Sequence, residues 1–391
     1  MKTRTLKIGF IRLVDAAPII VAAEMGFALE EGLSLELEAA PSWSALRDRL
    51  CFGQLDAAHM LAPVPVAGAL GLGGAGAALH ALSVLSVNGN VIGVSRELGR
   101  QMREMGHRFG FDDAHEAGRA LIAAKGASLR IGVPFPFSMH AELVYYWLTA
   151  LGLPAPQSVD VRTVPPPLMA EAMERGELDA FCVGEPWGSR SVDAGVADLL
   201  LPCSAIWAAA PEKVLAVRAE TADQEADVSA RLIRALWRAA RWIAEPASRG
   251  LTTEILSQPQ HLDLPAEVLE RALHGRFVIS SDGETRRSDH FVNFFHGAAG
   301  FPWRSQAEWM GLRMAARTGL DRAEAAAKAR ATFRSDIYRA ALDGVAHDLP
   351  AASSKVEGAI GDPMPAASTG GHLILPKDSF FDGRVFEPLE S

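Results

Sequence analysis

"GELDAFCVGEPWG" (residues 176–188) rewrites a phrase already present as "GQLDAAHMLAPVP" (residues 53–65). Gly53 and Gly176, Leu55 and Leu178, Asp56 and Asp179, and Pro63 and Pro186 are each 123 residues apart. The same offset lays "LKIGF" (6–10) over "LRIGV" (129–133) upstream and "NVIGVSRE" (90–97) over "KVLAVRAE" (213–220) downstream. A spacing kept over roughly 90 residues without a gap marks an internal duplication. Two copies of this size make a doubled lobe and not a solenoid, which needs at least about three repeats.

Each copy has the same layout. A short apolar run ("KIGF", "RIGV") predicts a buried strand, followed by a helix with Asp15 or Ser138 as its oxygen-bearing N-cap. A second strand ("LSLELEA", "VDVRTV") and an amphipathic helix follow, the helix stopping at Gly53 or Gly176. "LDAAHM" and "LDAFCV" are the third, fully buried strands. Strand–helix alternation of this kind predicts parallel strands with helices on both faces of the sheet. Ligands in such sheets bind beyond the carboxyl ends of the strands, where "LAPVP" and "GEPWG" emerge.

A chain of 391 residues accommodates two or three domains. Its net charge of −9, with no basic run, excludes general nucleic-acid and membrane-surface binding. An anionic ligand must therefore be captured by local donors against a weakly repelling field. Cys51 and Cys182 fall in expected helix and strand interiors and, with Cys203, read as free thiols. "MKTRTLKIGF" runs straight into the first strand with no apolar export segment, and the apolar stretch 60–79 is broken by Pro63 and Pro65. The expectation is a cytoplasmic protein.

"APIIVAAEMGF", "SWSALRDRL", "GQLDAAHMLAPVPVA", "GELDAFCVGEPWG", "PEKVLAVR" and "FFHGAAGFPWRSQAEW" together resemble the nitrate- and bicarbonate-binding proteins of bacterial ABC transporters. The resemblance spans positions 6 to about 315, and "FFDGRVFEP" resembles the family's ending. It implies an α/β, two-lobe type II periplasmic-binding-protein-like fold, with mixed sheets, helices on both faces and a ligand cleft between lobes. Transport members carry an export signal or lipid anchor, so the start of this chain more closely resembles a cytoplasmic branch, the nitrate/nitrite sensors of the NasS type. That branch restrains an RNA-binding antiterminator of the NasT type and releases it on anion binding. The alternative is the substrate-binding component of an ABC transporter for nitrate, bicarbonate or a related small anion.

The expected boundaries follow. Residues 1–93 form the first part of lobe I, 94–124 a connecting insertion and 125–212 lobe II. Residues 213–342 complete lobe I with C-terminal helices, and 343–391 form a loosely ordered tail with a terminal docking motif. The chain crosses between lobes near 91–95 and near 213–218.

The resemblance places the anion against Trp43, Asn90, His140 and Lys213, with Glu185, Pro186 and Trp187 shaping the wall. Nitrate is planar, singly charged and a weak acceptor, so a dry site needs several donors and a positive charge. Trp43 and His140 lie in the first turns of helices, where the dipole favours anions. Asn90 and Lys213 occupy equivalent repeat positions. Each also has a plainer reading: Trp43 as a helix-start aromatic, His140 bonding a neighbouring carbonyl, Asn90 as the turn residue of "VNGN", and Lys213 as a solvated strand end. Nitrate-binding family members often place a longer amide near Asn90.

Other motifs read against enzymatic chemistry. Glu185 has no second carboxylate, nucleophile or metal constellation spaced to work with it. "GLGGAG" (71–76) spells a dinucleotide fingerprint but follows a Pro-broken segment. His107, Asp112, Asp113 and His115 read as a polar surface insertion rather than a metal site, and neither metal nor cofactor is expected. Arg231, Arg234, Arg238 and Arg241 form a stripe at helical spacing, which reads as a solvated face or, alternatively, a surface for an acidic partner.

Overall fold

The computed structural model describes residues 3–74 and 76–389. Its two main sheets are built by the two copies. In the first half lie β1 (Arg4–Phe10), α1 (Ala17–Glu24), α2 (Phe27–Glu30), β2 (Leu33–Ala39), α3 (Trp43–Cys51), β3 (Ala57–Leu61), α4 (Pro63–Ala69) and β4 (Leu79–Asn88). There follow β5 (Asn90–Ser95), α5 (Arg96–Glu104), α6 (Ala114–Lys125), β6 (Arg130–Val133), α7 (Met139–Ala150), β7 (Asp160–Thr163), α8 (Met169–Glu174), β8 (Ala180–Gly184), α9 (Trp187–Asp193) and β9 (Ala197–Pro202). Then come β10 (Pro211–Arg218), α10 (Ala219–Gln224) and α11 (Ala226–Ala244).

The repeat is preserved at the level of hydrogen-bond register. In the first sheet β1 pairs β3 in parallel with Ile8 opposite Ala57; in the second, β6 pairs β8 with Ile131 opposite Ala180. The repeated aspartate explains part of the repeated phrase. Asp56 Oδ2 accepts the Lys7 backbone N–H at 2.8 Å, and Asp179 Oδ2 accepts that of Arg130 at 2.9 Å. Each carboxylate, placed just before the third strand of its copy, ties the start of that strand to the first strand beside it. Gly53 and Gly176, at φ +73° and +66°, end the preceding helices as their sequence positions require.

The strand after each copy leaves for the other sheet. β5 follows the first copy but pairs antiparallel with β8, Asn90 opposite Gly184. β10 follows the second copy but pairs antiparallel with β3, Lys213 opposite Leu61. The sheets are therefore ordered β4-β10-β3-β1-β2, with Val292–Asn293 on the β4 edge, and β7-β6-β8-β5-β9. Asn88 (φ 59°) and Gly89 (φ 110°) make the first crossing, so residues 91–95 lie wholly within the second sheet. The segment 94–124 carries α5 and α6, whose buried Leu98, Met102, Ala117 and Leu121 join the same core as β9 and α7.

Two local readings differ from expectation, at Asp15 and Cys51. Asp15 caps no helix: it lies inside a 3-10 turn, Val14–Ala16, and its side chain is buried elsewhere. Ser138 does cap α7, accepting the Ala141 N–H at 3.1 Å. Cys51 is only half-buried, whereas Cys182 and Cys203 are buried free thiols with sulfurs 3.5 Å apart.

On the surface, the arginine stripe of α11 is largely paired within the chain. Arg234 and Arg238 engage Glu31, and Arg231 engages Asp227. The segment after residue 343 buries Leu349, Ile360, Leu375 and Phe380 against the body. Phe380 stacks on Trp207 with centroids 4.7 Å apart, and Tyr146 Oη donates to Asp382 at 2.7 Å. The glycine-rich 71–76 segment follows α4 as a turn, and its Ala75 lies outside the described residues.

Candidate functional site

Trp43, Asn90, His140 and Lys213 come from four elements and both sheets, and all are buried. Trp43 opens α3, whose N-cap Ser42 accepts the Ala45 N–H at 3.2 Å. His140 lies in the first turn of α7 behind its own serine cap. Asn90 is the first residue of β5, and Lys213, third in β10, is where that strand begins to pair with β3.

Lys213 is the electrostatic centre. Its ammonium lies 2.8 Å from Asp15 Oδ2 and donates to Glu212 Oε1 at 2.9 Å. It also stands 5.5 Å from the centre of the Trp43 ring, within cation–π range. On the far side of Asp15, His59 Nε2 lies 2.9 Å from Oδ1, and the His59 ring tilts against Trp43 at 5.7 Å. His140 Nδ1, from the other lobe, lies 3.2 Å from Glu212 Oε1. Asn90 faces the Glu212 carboxylate, with neither of its amide atoms hydrogen-bonded.

Burial sets the charges. It pushes Asp15 up, but Lys213 and His59 outweigh it and hold that carboxyl down at about 2. It pulls Lys213 down, yet Asp15 and then Glu212 raise the ammonium above its ordinary range. Burial, reinforced by Lys213, carries His140 well below its ordinary value, and burial lowers His59 despite Asp15. Both imidazoles are therefore neutral near pH 7, each able to donate one N–H.

The cluster is conspicuous for what it leaves unpaired. Trp43 Nε1, both amide atoms of Asn90, both ring nitrogens of His140 and Glu212 Oε2 are buried without a protein hydrogen-bond partner. Folding does not collect such atoms in one place without compensation, because each costs about 1–3 kcal/mol. The arrangement gathers an indole N–H, an amide, imidazole nitrogens and an unpaired carboxylate oxygen around one ammonium that Asp15 and Glu212 already engage.

Glu185, Pro186 and Trp187 belong to the seam between the lobes rather than to this cluster. The Glu185 side chain turns back and accepts the Ser189 N–H at 3.1 Å, capping the first turn of α9. Its backbone carbonyl accepts the Val14 N–H at 3.0 Å, and Trp187 Nε1 donates to the Arg12 carbonyl, also at 3.0 Å. Burial pushes the Glu185 carboxyl up to about 7. Across the seam, Arg317 forms a two-point pair with the buried Glu142 of α7.

Asp15, His59 and Glu212 are the members of this cluster that sequence reasoning missed. A signal existed. Asp15 lies opposite Ser138 in the repeat and His59 opposite Cys182, so both are positions where the copies diverge inside otherwise matching segments. Among the described residues, no cluster of His, Cys, Asp or Glu is arranged to hold a metal ion, and no helix is long and apolar enough to cross a membrane.

The chain is similar in sequence and fold to several known binding proteins. It is 29% identical over 399 residues to the nitrate/nitrite binding protein NrtA of Synechococcus elongatus, covering 99% of this chain and 84% of that protein. It is 26% identical to the bicarbonate-binding protein CmpA of Synechococcus sp., over 99% of this chain and 85% of CmpA. The crystal structure of the periplasmic nitrate-binding protein NrtA from Synechocystis PCC 6803 superposes with a TM-score of 0.82 at 26% identity, covering 99% of this chain and 96% of that one. The NMT1-like family profile matches residues 1–257. With two sheets exchanging strands around one buried polar cluster, the chain has the two-lobed fold of periplasmic binding proteins and belongs to the NMT1-like family.

Proposed function

We propose that this protein binds nitrate or nitrite between its lobes, held by Lys213, Trp43, His140 and Asn90, and that it carries out no catalysis. The observation that carries this reading is the convergence of those four side chains, from both sheets, on one buried cluster with unpaired donors. The similarity to nitrate/nitrite and bicarbonate binding proteins supports the ligand class. Because donors come from both lobes, occupancy favours the closed form in proportion to its extra affinity for that form. Swinging a lobe equilibrium from 1:99 to 99:1 takes about 5.5 kcal/mol, within reach of one charge-assisted pair and three or four hydrogen bonds in a dry cleft.

In the finer reading the protein is a cytoplasmic sensor. Empty, it holds an RNA-binding antiterminator of the NasT type; filled, it changes shape and releases it. The protein itself makes no contact with nucleic acid or membrane in this scheme. Its support is the sequence resemblance to that branch. A second reading, delivery of the anion to an ABC transporter, is favoured by the similarity to the periplasmic nitrate-binding protein NrtA across nearly the whole chain.

Titration of nitrate, nitrite, bicarbonate and taurine against thermal stability tests the ligand. Nitrate or nitrite should stabilise by about 2.7 kcal/mol at a hundredfold excess over Kd; a response to taurine alone would reject the reading. Co-purification of an antiterminator, lost on adding nitrate, separates the sensor from the delivery protein.

A further inference from the structure

We propose that Glu212 is the specificity-determining group of this site, and that it admits a bare oxyanion only together with one proton. The inference rests on the anion site lying at the Lys213 cluster. Glu212 is fully buried on β10, between Lys213 of its own strand and His140 of the opposite lobe. Oε1 is committed to the Lys213 ammonium at 2.9 Å. Oε2 is buried with no protein partner, while Trp43, Asn90 and His140 carry unpaired groups alongside.

The charges around Glu212 leave little room for another. Lys213 contributes the single positive charge. Asp15 already answers it at 2.8 Å and stays ionised down to about pH 2. His140 and His59 are held neutral by burial, as is the nearby Cys182 thiol, and Asn90 is uncharged. With Glu212 ionised the cluster is one charge negative before any ligand arrives. Nitrate and nitrite have only acceptor oxygens, so an ionised Glu212 sets acceptor against acceptor and charge against charge in a dry site. A proton taken from solvent onto Oε2 removes the extra charge and turns that oxygen into a donor aimed at the anion. The balance is simple: one oxyanion and one proton enter, no bond breaks elsewhere, and the net charge of the cluster is unchanged. Burial already favours this, since it raises the Glu212 carboxyl above its ordinary range against the pull of Lys213. An anion that carries its own O–H, such as bicarbonate, donates to an ionised Oε2 and so removes the acceptor–acceptor conflict without a proton, leaving only the charge repulsion, which Lys213 opposes.

Isothermal titration of the full chain with sodium nitrate, in phosphate and in Tris at several pH values from 6 to 9, measures the proton count directly. The expectation at pH 8 is uptake of one proton per nitrate, with affinity falling about tenfold per pH unit above the carboxyl's own range. Glu212→Gln should abolish the uptake, flatten the pH profile and bind nitrate at least about tenfold more tightly than the parent at pH 9. Nitrate binding without proton uptake in the parent overturns the proposal, as does uptake that persists in Glu212→Gln, which would put the proton on His140. If that variant does not fold, comparing ligands in the parent at pH 8 decides: one proton with nitrate and none with bicarbonate supports the proposal, and equal counts overturn it. Failure of nitrate, nitrite and bicarbonate to bind at any pH overturns the site assignment itself, a result distinct from binding that carries no proton.

Discussion

The Lys213 ammonium lies 2.8 Å from Asp15 Oδ2, joining the exchanged strand β10 to the turn that precedes α1. Both groups are fully buried, so neither is affordable without the other. Lys213→Ala would leave Asp15 and Glu212 buried without a counter-charge. It should destabilise the protein by about 3–5 kcal/mol in urea unfolding and abolish nitrate-induced thermal stabilisation. The double variant Asp15→Asn/Lys213→Met should recover much of the stability and none of the nitrate response. Full nitrate stabilisation in Lys213→Ala would remove the site from this cluster.

Trp43 tests the donor role without disturbing charge. Trp43→Phe keeps an aromatic ring at the start of α3 and removes the unpaired indole N–H. A hydrogen bond to a charged partner is worth about 1.5–3 kcal/mol, so nitrate Kd should rise at least about tenfold. Calorimetry of the folded variant reads this; an unchanged Kd would reduce Trp43 to a packing residue.

Glu185 gives a pH signature separate from the ligand. Its carboxyl titrates near 4.5 when unfolded and at about 7 in the folded chain. Between those values the folded state keeps a proton that the unfolded state releases. Its contribution is therefore greatest below pH 4.5, declines as pH rises, and is fully lost above about pH 7, a change of about 3 kcal/mol. Glu185→Gln keeps an acceptor for the Ser189 N–H and should be more stable than the parent at pH 8, with the advantage vanishing near pH 4. Urea midpoints across that range check it.

The bond from Trp187 Nε1 to the Arg12 carbonyl spans the lobes at 3.0 Å. Trp187→Phe should cost about 1 kcal/mol of closed-state stability and raise nitrate Kd about fivefold. The increase should show mainly as faster release in stopped-flow measurements. A variant with reduced thermal stability but unaltered affinity would mean that the seam does not contribute to closure.

Much of the fold is readable because the duplication is local and periodic. Strand β3 and its counterpart β8 are related by the repeat offset, and Asp56 and Asp179 repeat because each closes the same backbone link between neighbouring strands. Ser138 reads correctly as a cap because its partner, the Ala141 N–H, is three residues away. Asp15 does not, because its partners lie 44 and 198 residues along the chain, at His59 and Lys213. Glu185 reads as a wall residue from its neighbours in sequence, yet its carboxylate turns away to cap α9.

The doubled lobe, the order of strands and helices, and the equivalence of Asn90 and Lys213 are written in the linear pattern of residues. These follow from short-range patterns of burial, capping and turn chemistry that any copy of the segment must repeat. Which charges meet depends instead on how the chain folds back on itself. Asp15 and His59 come from distant parts of the chain and reach Lys213 only through the strand exchange, and once buried neither partner can lose the other without a large cost; Glu212, beside Lys213 in sequence, meets His140 of the other lobe by the same exchange.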